Sequence, residues 1–198
     1  MLRLYFSLAS PLLFLALCKN DRCLASLQKE NLRLHSENFL THLKEILKQV
    51  NHSLAELDEI YFTSWPSGQT GLRVSLTFLA TLQVLNPKIK FYHINTLLLQ
   101  AGNDKCLGLL TIDSRASKYY LAVYQQKRCL LTTQIINKEE LISLMKRFSN
   151  FLVRKDFSET GLTENPREFN KHSVDFLSHF QALKNEFVRL RKIEEIDF

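Results

Sequence analysis

His35, His42, His52, His93, His172 and His179 are the imidazoles of this chain, and no two are four residues apart. His35/His42 and His172/His179 are separated by seven residues, about two helical turns. That is too far to share one ion without other ligands, so the spacing predicts no metal site. Cys18, Cys23, Cys106 and Cys129 form no Cys-x-x-Cys pair and read as reduced thiols of a cytoplasmic protein. Serines are available as nucleophiles, but no Gly-x-Ser-x-Gly elbow supports a hydrolase. What remains is a corner, Ile60 to Arg73. An apolar, β-branched run stops at Ser64-Trp65-Pro66-Ser67-Gly68 and resumes as an apolar segment to Leu85, which reads as strand, tight turn and buried helix. Pro66 removes a backbone donor, Gly68 and Gly71 widen the allowed backbone angles, and Thr70 is positioned to cap a helix starting near Leu72. Such a corner exposes amide N–H groups where an anion or a partner's carboxylate can sit, or serves only as a structural turn.

The elements that hold this corner are legible on both sides of it. Residues 2–8, a turn at Ala9-Ser10-Pro11, residues 12–18, a second turn at Lys19-Asn20-Asp21 and residues 23–30 predict three antiparallel strands. A secretory signal is the competing reading of the first 17 residues, but Ser7, Ser10 and Pro11 break the run and no small-x-small site ends it. Phe39, Leu40, Leu43, Ile46, Leu47 and Val50 recur at helical spacing, with Ser36 as a plausible N-cap. Leu54 to Asp58 turns into a strand over 59–63. The helix over 72–85 is apolar on more than one face and needs cover from its own sheet or from another chain. Asn86-Pro87 ends it, a strand follows to Ile94, and a helical segment covers Thr96 to Ala101.

Gly102-Asn103-Asp104-Lys105 is the predicted boundary, giving domains 1–102 and 103–198. Beyond it the pattern starts again: strands 106–112, 118–124 and 128–135, then a helix from Lys138 to Phe148. Three strands and a helix, twice, suggest a duplicated ribonuclease H-like unit with the second copy shortened. Lys155 to Pro166 reads as polar loop, and Ser173 to Leu183 has helical spacing. Apolar residues make up 45% and charged residues 23%, an ordinary globular composition. The net charge of +6 is confined to residues 1–137, with 15 basic against 9 acidic side chains, while 138–198 carry 11 of each. No basic stripe with interleaved aromatics accompanies it, so the chain alone is not read as a tight RNA binder. No run reaches the ~20 apolar residues of a membrane span.

The order of these features resembles the TsaB (YeaZ) family. The residues that carry the resemblance are His35-Ser36-Glu37 opening a helix, Leu54-x-x-Leu57-Asp58, the corner with Pro66, Thr70, Gly71, Leu72 and Arg73, and Asp113-x-Arg115 before Tyr119-Tyr120. The family's usual corner, Gly-Pro-Gly-Ser-Phe-Thr-Gly-Leu-Arg, is met at those five positions and departed from at Trp65, Ser67, Gly68 and Gln69. The likeness is good over residues 1–130 and poor beyond 135, where Phe187-Val188-Arg189 stands for the family's Tyr-x-Arg as a terminal strand or arm.

The resemblance implies an α/β, two-lobed actin-like ATPase fold. It also implies the role of a non-catalytic interaction subunit of TsaD, the subunit that forms threonylcarbamoyladenosine beside the anticodon of tRNAs reading codons that begin with A. A TsaE-like ATPase in the assembly, tRNA met only through the complex, and a homodimer when alone are further implications. The first-lobe helices would carry the contact, with Phe39, Leu43, Leu72, Leu76, Leu79 and Gln83 as interface residues. No cofactor and no metal are expected. The alternative is an enzyme of the actin-like ATPase or sugar-kinase type, against which stands that ATPases and kinases of this fold need a carboxylate on the first hairpin, a position that falls on Ser7. Asp113 and Arg115 read as a loop ion pair, and Arg73 as a brace for the turn.

Overall fold

The computed structural model of the chain describes residues 1–9, 12–20, 22–30, 35–113, 115–156, 158–159, 174–193 and 196. These fall into two units, Met1–Asn95 with Asn185–Phe198, and Thr96–Lys184. The division comes after Asn95 and therefore ahead of the expected boundary at 102–103, and the last residues return to the first unit. A glycine-bearing linker marks a loop, whereas a unit is set by which core a segment's apolar residues enter.

The first unit begins with the predicted strands β1 (Leu2–Ser7), β2 (Leu12–Lys19) and β3 (Arg22–Glu30). Residues 10 and 11 of the expected first turn lie outside the described residues, but the Leu12 N–H donates to the Ala9 carbonyl (2.9 Å) across it. Helix α1 (His35–Gln49) follows, then a 3-10 turn at Leu54–Glu56, strand β4 (Glu59–Thr63), helix α2 (Gln69–Leu85) and strand β5 (Lys90–Ile94). Strands β1, β4 and β5 run parallel, β2 adds antiparallel to β1, and β3 adds antiparallel to β2. Every residue of β1 and of β4 is buried, as the centre of a sheet covered on both faces requires. The main core combines Leu4, Phe6, Leu15, Ile60 and Phe62 from the sheet with Phe39 and Leu43 of α1 and Leu79 and Leu82 of α2. Phe39 sits 5.3 Å from Phe6 and 5.0 Å from Phe78, ring centre to ring centre. Each such side chain stabilises the fold by roughly 1.5–3 kcal/mol through burial.

The second unit repeats the plan. After α3 (Thr96–Ala101) come antiparallel strands β6 (Lys105–Asp113), β7 (Lys118–Gln125) and β8 (Arg128–Ile136), helix α4 (Lys138–Arg147), and β9 (Leu152–Lys155) parallel to β6. Helix α4 starts where Asn137 and Glu140 cap each other, with 2.9 and 2.8 Å bonds between side chain and backbone. Two-residue strand β10 (Ser158–Glu159) lies antiparallel to β9, and α5 (Phe176–Ala182) follows residues outside the description. Finally β11 (Val188–Leu190) pairs antiparallel with β5.

The two sheets thus read β11-β5-β4-β1-β2-β3 and β10-β9-β6-β7-β8. Three antiparallel strands, a helix and a parallel strand occur in both, so the duplication and the actin-like, ribonuclease H-like fold are real features of the molecule. Among the described residues the second copy lacks a counterpart of parallel strand β5, and the short antiparallel β10 occupies that flank. Most of the expected loop over 155–166 lies outside the described residues.

Candidate functional site

The corner forms as strand, turn and helix, but its details differ from expectation. Helix α2 starts at Gln69 with Gly68 as N-cap, and no side chain caps it. Thr70 therefore lies inside the first turn and is exposed, not at the cap. Gly71 has the clearest structural reason for its identity. A Cβ added there would overlap the backbone carbonyl of Leu8, which a protein can relieve only by moving main chain. The first turn of α2 thus rests directly on the end of β1. Ser75, one turn on, donates its hydroxyl to the Gly71 carbonyl (2.8 Å), and Leu72 is buried. Arg73 is exposed at the surface.

At the sheet end beneath this turn, the Ser7 and Thr63 hydroxyls are 2.8 Å apart and buried, and the Ala9 N–H donates to Ser7 Oγ (3.4 Å). The Ser7 side chain is thus a neutral hydroxyl held by neutral partners. Ser64 donates to the Ile94 carbonyl (3.2 Å), and His93 Nδ1 lies 3.0 Å from Ser64 Oγ. The Ser64 hydroxyl thus lies between the Ile94 carbonyl and the His93 ring. Burial lowers the His93 pKa. This arrangement ties the ends of β4 and β5 together, and no sequence signal pointed to it because the partners are 29 residues apart.

The motif residues distribute unevenly. His35, Ser36 and Glu37 open α1 in backbone, with side chains outside the described part, so Ser36 is within the helix rather than its cap. Asp113 ends β6 with its side chain likewise outside the description, and Arg115 is exposed in the following turn. Pro66 follows a cis Trp65–Pro66 peptide bond. His172 lies outside the described residues. Among those described, no group of three His, Cys, Asp or Glu is placed to hold a metal ion.

Of the six residues expected on a partner surface, Phe39, Leu43, Leu72 and Leu79 are instead core, exposed by 5% or less. Their helical spacing marked a buried stripe, and the stripe faces the chain's own sheet. Leu76 is half-buried against the same core, and Gln83 donates to the Arg191 carbonyl (3.1 Å). The apolar side chains that these helices do present to solvent are Leu40 (45% exposed), Val84 (82%) and Leu85 (74%). No helix among the described residues is long and apolar enough to cross a membrane.

With this geometry in place, comparison with known proteins is informative. The family model of TsaD, tRNA N6-adenosine threonylcarbamoyltransferase, matches residues 29–191. YeaZ from Pseudomonas aeruginosa superposes with a TM-score of 0.57 at 20% identity, over 68% of this chain and 66% of that one. An uncharacterized protein with similarity to peptidase YEAZ, also from Pseudomonas aeruginosa, superposes with a TM-score of 0.59 at 20% identity, over 70% and 67%. The chain spans about two thirds of the length of these structures. Identity at this level establishes the shared fold, and the family match spans well over half of the chain. This protein therefore belongs to the TsaD family, described as tRNA N6-adenosine threonylcarbamoyltransferase, and it shares the fold of YeaZ.

Proposed function

We propose that the chain is a non-catalytic, TsaB-type subunit that binds a TsaD-like catalytic subunit and supports formation of threonylcarbamoyladenosine beside the anticodon of tRNAs reading codons that begin with A. The observation that carries this reading is Ser7. Its hydroxyl, hydrogen-bonded to Thr63, stands where an ATPase of this fold needs a carboxylate, and a neutral hydroxyl cannot hold a divalent cation at a phosphate. The chain then acts by covering apolar surface of its partner, in a cytoplasmic assembly that also holds a TsaE-like ATPase. tRNA is met only through the complex.

Contact through α1 and α2 uses the side chains they expose, Leu40, Val84 and Leu85, with Leu76 at the edge of the core. Large apolar residues at the centre of an interface typically cost more than 1–2 kcal/mol when removed, roughly a tenfold or greater loss of affinity. The experiment is co-expression with the same organism's TsaD-like protein, followed by size-exclusion chromatography of wild type, Leu40→Asp and Val84→Asp. A one-to-one complex that the exposed substitutions weaken, with the variants still folded, supports the reading. A chain that stays a monomer or a homodimer beside its partner, or that turns over ATP by itself, overturns it.

A further inference from the structure

Cys18 and Cys23 take no part in the corner or the helical surface, yet they are the only cysteines among the described residues that the sheet register sets opposite each other. Cys18 is the penultimate residue of β2 and Cys23 the second residue of β3, and the antiparallel ladder pairs them directly, just beyond a bulge at Leu24. Residues opposed across an antiparallel pair have Cα atoms about 4.5–5.5 Å apart and side chains on the same face. A disulfide spans Cα separations of about 4.4–6.8 Å, so the ladder already supplies the spacing a bridge needs. No disulfide joins them, and the Cys23 thiol donates to the Ala25 carbonyl (3.5 Å).

We propose that Cys18 and Cys23 form a cross-strand dithiol that a low-molecular-weight disulfide, such as oxidised glutathione, converts to an intramolecular disulfide. Cys23, half-buried at the sheet edge, is the entry point. Its thiolate attacks one sulfur of the oxidant, a mixed disulfide forms and the first glutathione thiolate leaves. Cys18 then loses its proton and attacks the Cys23 sulfur, and the second glutathione thiolate leaves. Two protein thiols are oxidised, one glutathione disulfide is reduced to two thiols, and two electrons pass between them.

The surroundings suit a slow, selective reaction. Cys18 is buried, and burial together with the neighbouring Cys23 pushes its thiol up to about 12, so the second step waits on a rare thiolate and accelerates with pH. The guanidinium of Arg3, opposite Cys18 in the ladder, opposes that rise. Asn20, which follows β2, is held at three points. Arg3 donates to the Asn20 carbonyl (2.7 Å), the N-terminal ammonium donates to Asn20 Oδ1 (3.0 Å), and the Asn20 N–H donates to the Met1 carbonyl (2.8 Å).

Cys129, exposed on β8, supplies the internal control, since it has no cysteine across its ladder and stops at a mixed disulfide. The test exposes the folded full-length chain to graded ratios of oxidised to reduced glutathione, alkylates residual thiols after quenching, and digests with trypsin. The expected product is a disulfide joining the peptides that end in Cys18-Lys19 and begin with Cys23, with two alkylatable thiols lost together. The yield should rise at least several-fold between pH 7 and 9. Cys18→Ser should leave a stable mixed disulfide on Cys23, and Cys129→Ser should leave the cross-link unaffected. Wild type that retains both thiols under strongly oxidising ratios, that accumulates glutathionylated Cys23 without a cross-link, or that cross-links only after denaturation overturns the proposal.

Discussion

Gly71 and His179 show how single residues carry the geometry. At Gly71 two effects oppose each other. An alanine gains about 1 kcal/mol of helix propensity over glycine, but its Cβ overlaps the Leu8 carbonyl, and overpacking of this kind costs typically 1–3 kcal/mol. Because the obstacle is main chain, the clash should win, and Gly71→Ala should lower the urea midpoint. An unchanged or raised midpoint would mean that α2 is not seated on β1 as described. His179 sits in the second unit with Nδ1 2.7 Å from the Leu99 carbonyl, and its ring lies where a Cβ on Gly102 (φ +61°) would be, 2.7–2.9 Å away. Burial lowers its pKa, with the charge of Arg154 acting in the same direction against the Leu99 bond. A base whose folded pKa is depressed binds its proton more readily when unfolded, so stability is full above about 6.5 and is lost as pH falls from there through the folded pKa. His93 is depressed by burial in the same sense. Thermal midpoints should therefore fall between pH 7 and 5.5, and His179→Gln should flatten that slope. A slope that His179→Gln leaves unaltered would assign the loss to other groups.

At the scale of elements, α2 separates packing from surface. The sequence shows a helix apolar on more than one face, and the fold covers most of that surface internally, with Val74, Leu76 and Phe78 partly buried against the same core that takes Leu79 and Leu82. Leu79→Asp places a charge in the core and should unfold the first unit, because an unpaired buried carboxylate costs several kcal/mol against a total stability of about 5–15. Val84→Asp, at the exposed end of the same helix, should change stability by no more than about 0.5 kcal/mol. Circular dichroism melts of the two variants check this. If Leu79→Asp melted like wild type, the inward face of α2 would be misassigned. Near the other end of the same sheet, Arg3 and Glu59 form a buried 2.9 Å ion pair, and the Tyr61 hydroxyl donates to the same carboxylate oxygen (3.1 Å). Removing one partner of such a pair strands the other, so Glu59→Ala should cost about 3–5 kcal/mol, and an equilibrium unfolding curve close to wild type would count against that ion pair.

For the whole molecule, the fate of the last residues is the main consequence of tertiary structure. Strand β11 pairs with β5, and Leu190, Ile193 and Ile196 enter the core of the first unit. A chain ending at Asn185 loses three buried apolar side chains, worth roughly 1.5–3 kcal/mol each. Amides of β5 and β4 should lose hydrogen-exchange protection in that truncation while those of β6 and β7 keep theirs. Equal protection in both units would mean that the returning strand is dispensable. Much of this protein was determined by sequence alone. The alternation and breaks of residues 2–30 specify three strands, the 3.6-residue period specifies α1 and α4, and the recurrence of that order specifies a duplicated α/β fold, because these signals are local and each repeats within a few residues. What only the tertiary structure decided depends on contacts between distant positions. The apolar stripes of Phe39, Leu43, Leu72 and Leu79 look the same in sequence whether they face a partner or a sheet, and it is the sheet that buries them. The pairing of Ser7 with Thr63, the approach of Gly71 to Leu8 and the register that sets Cys18 against Cys23 follow from strand order and ladder alignment. A chain's own pattern fixes which side chains must be buried, but only the packed sheet fixes what buries them.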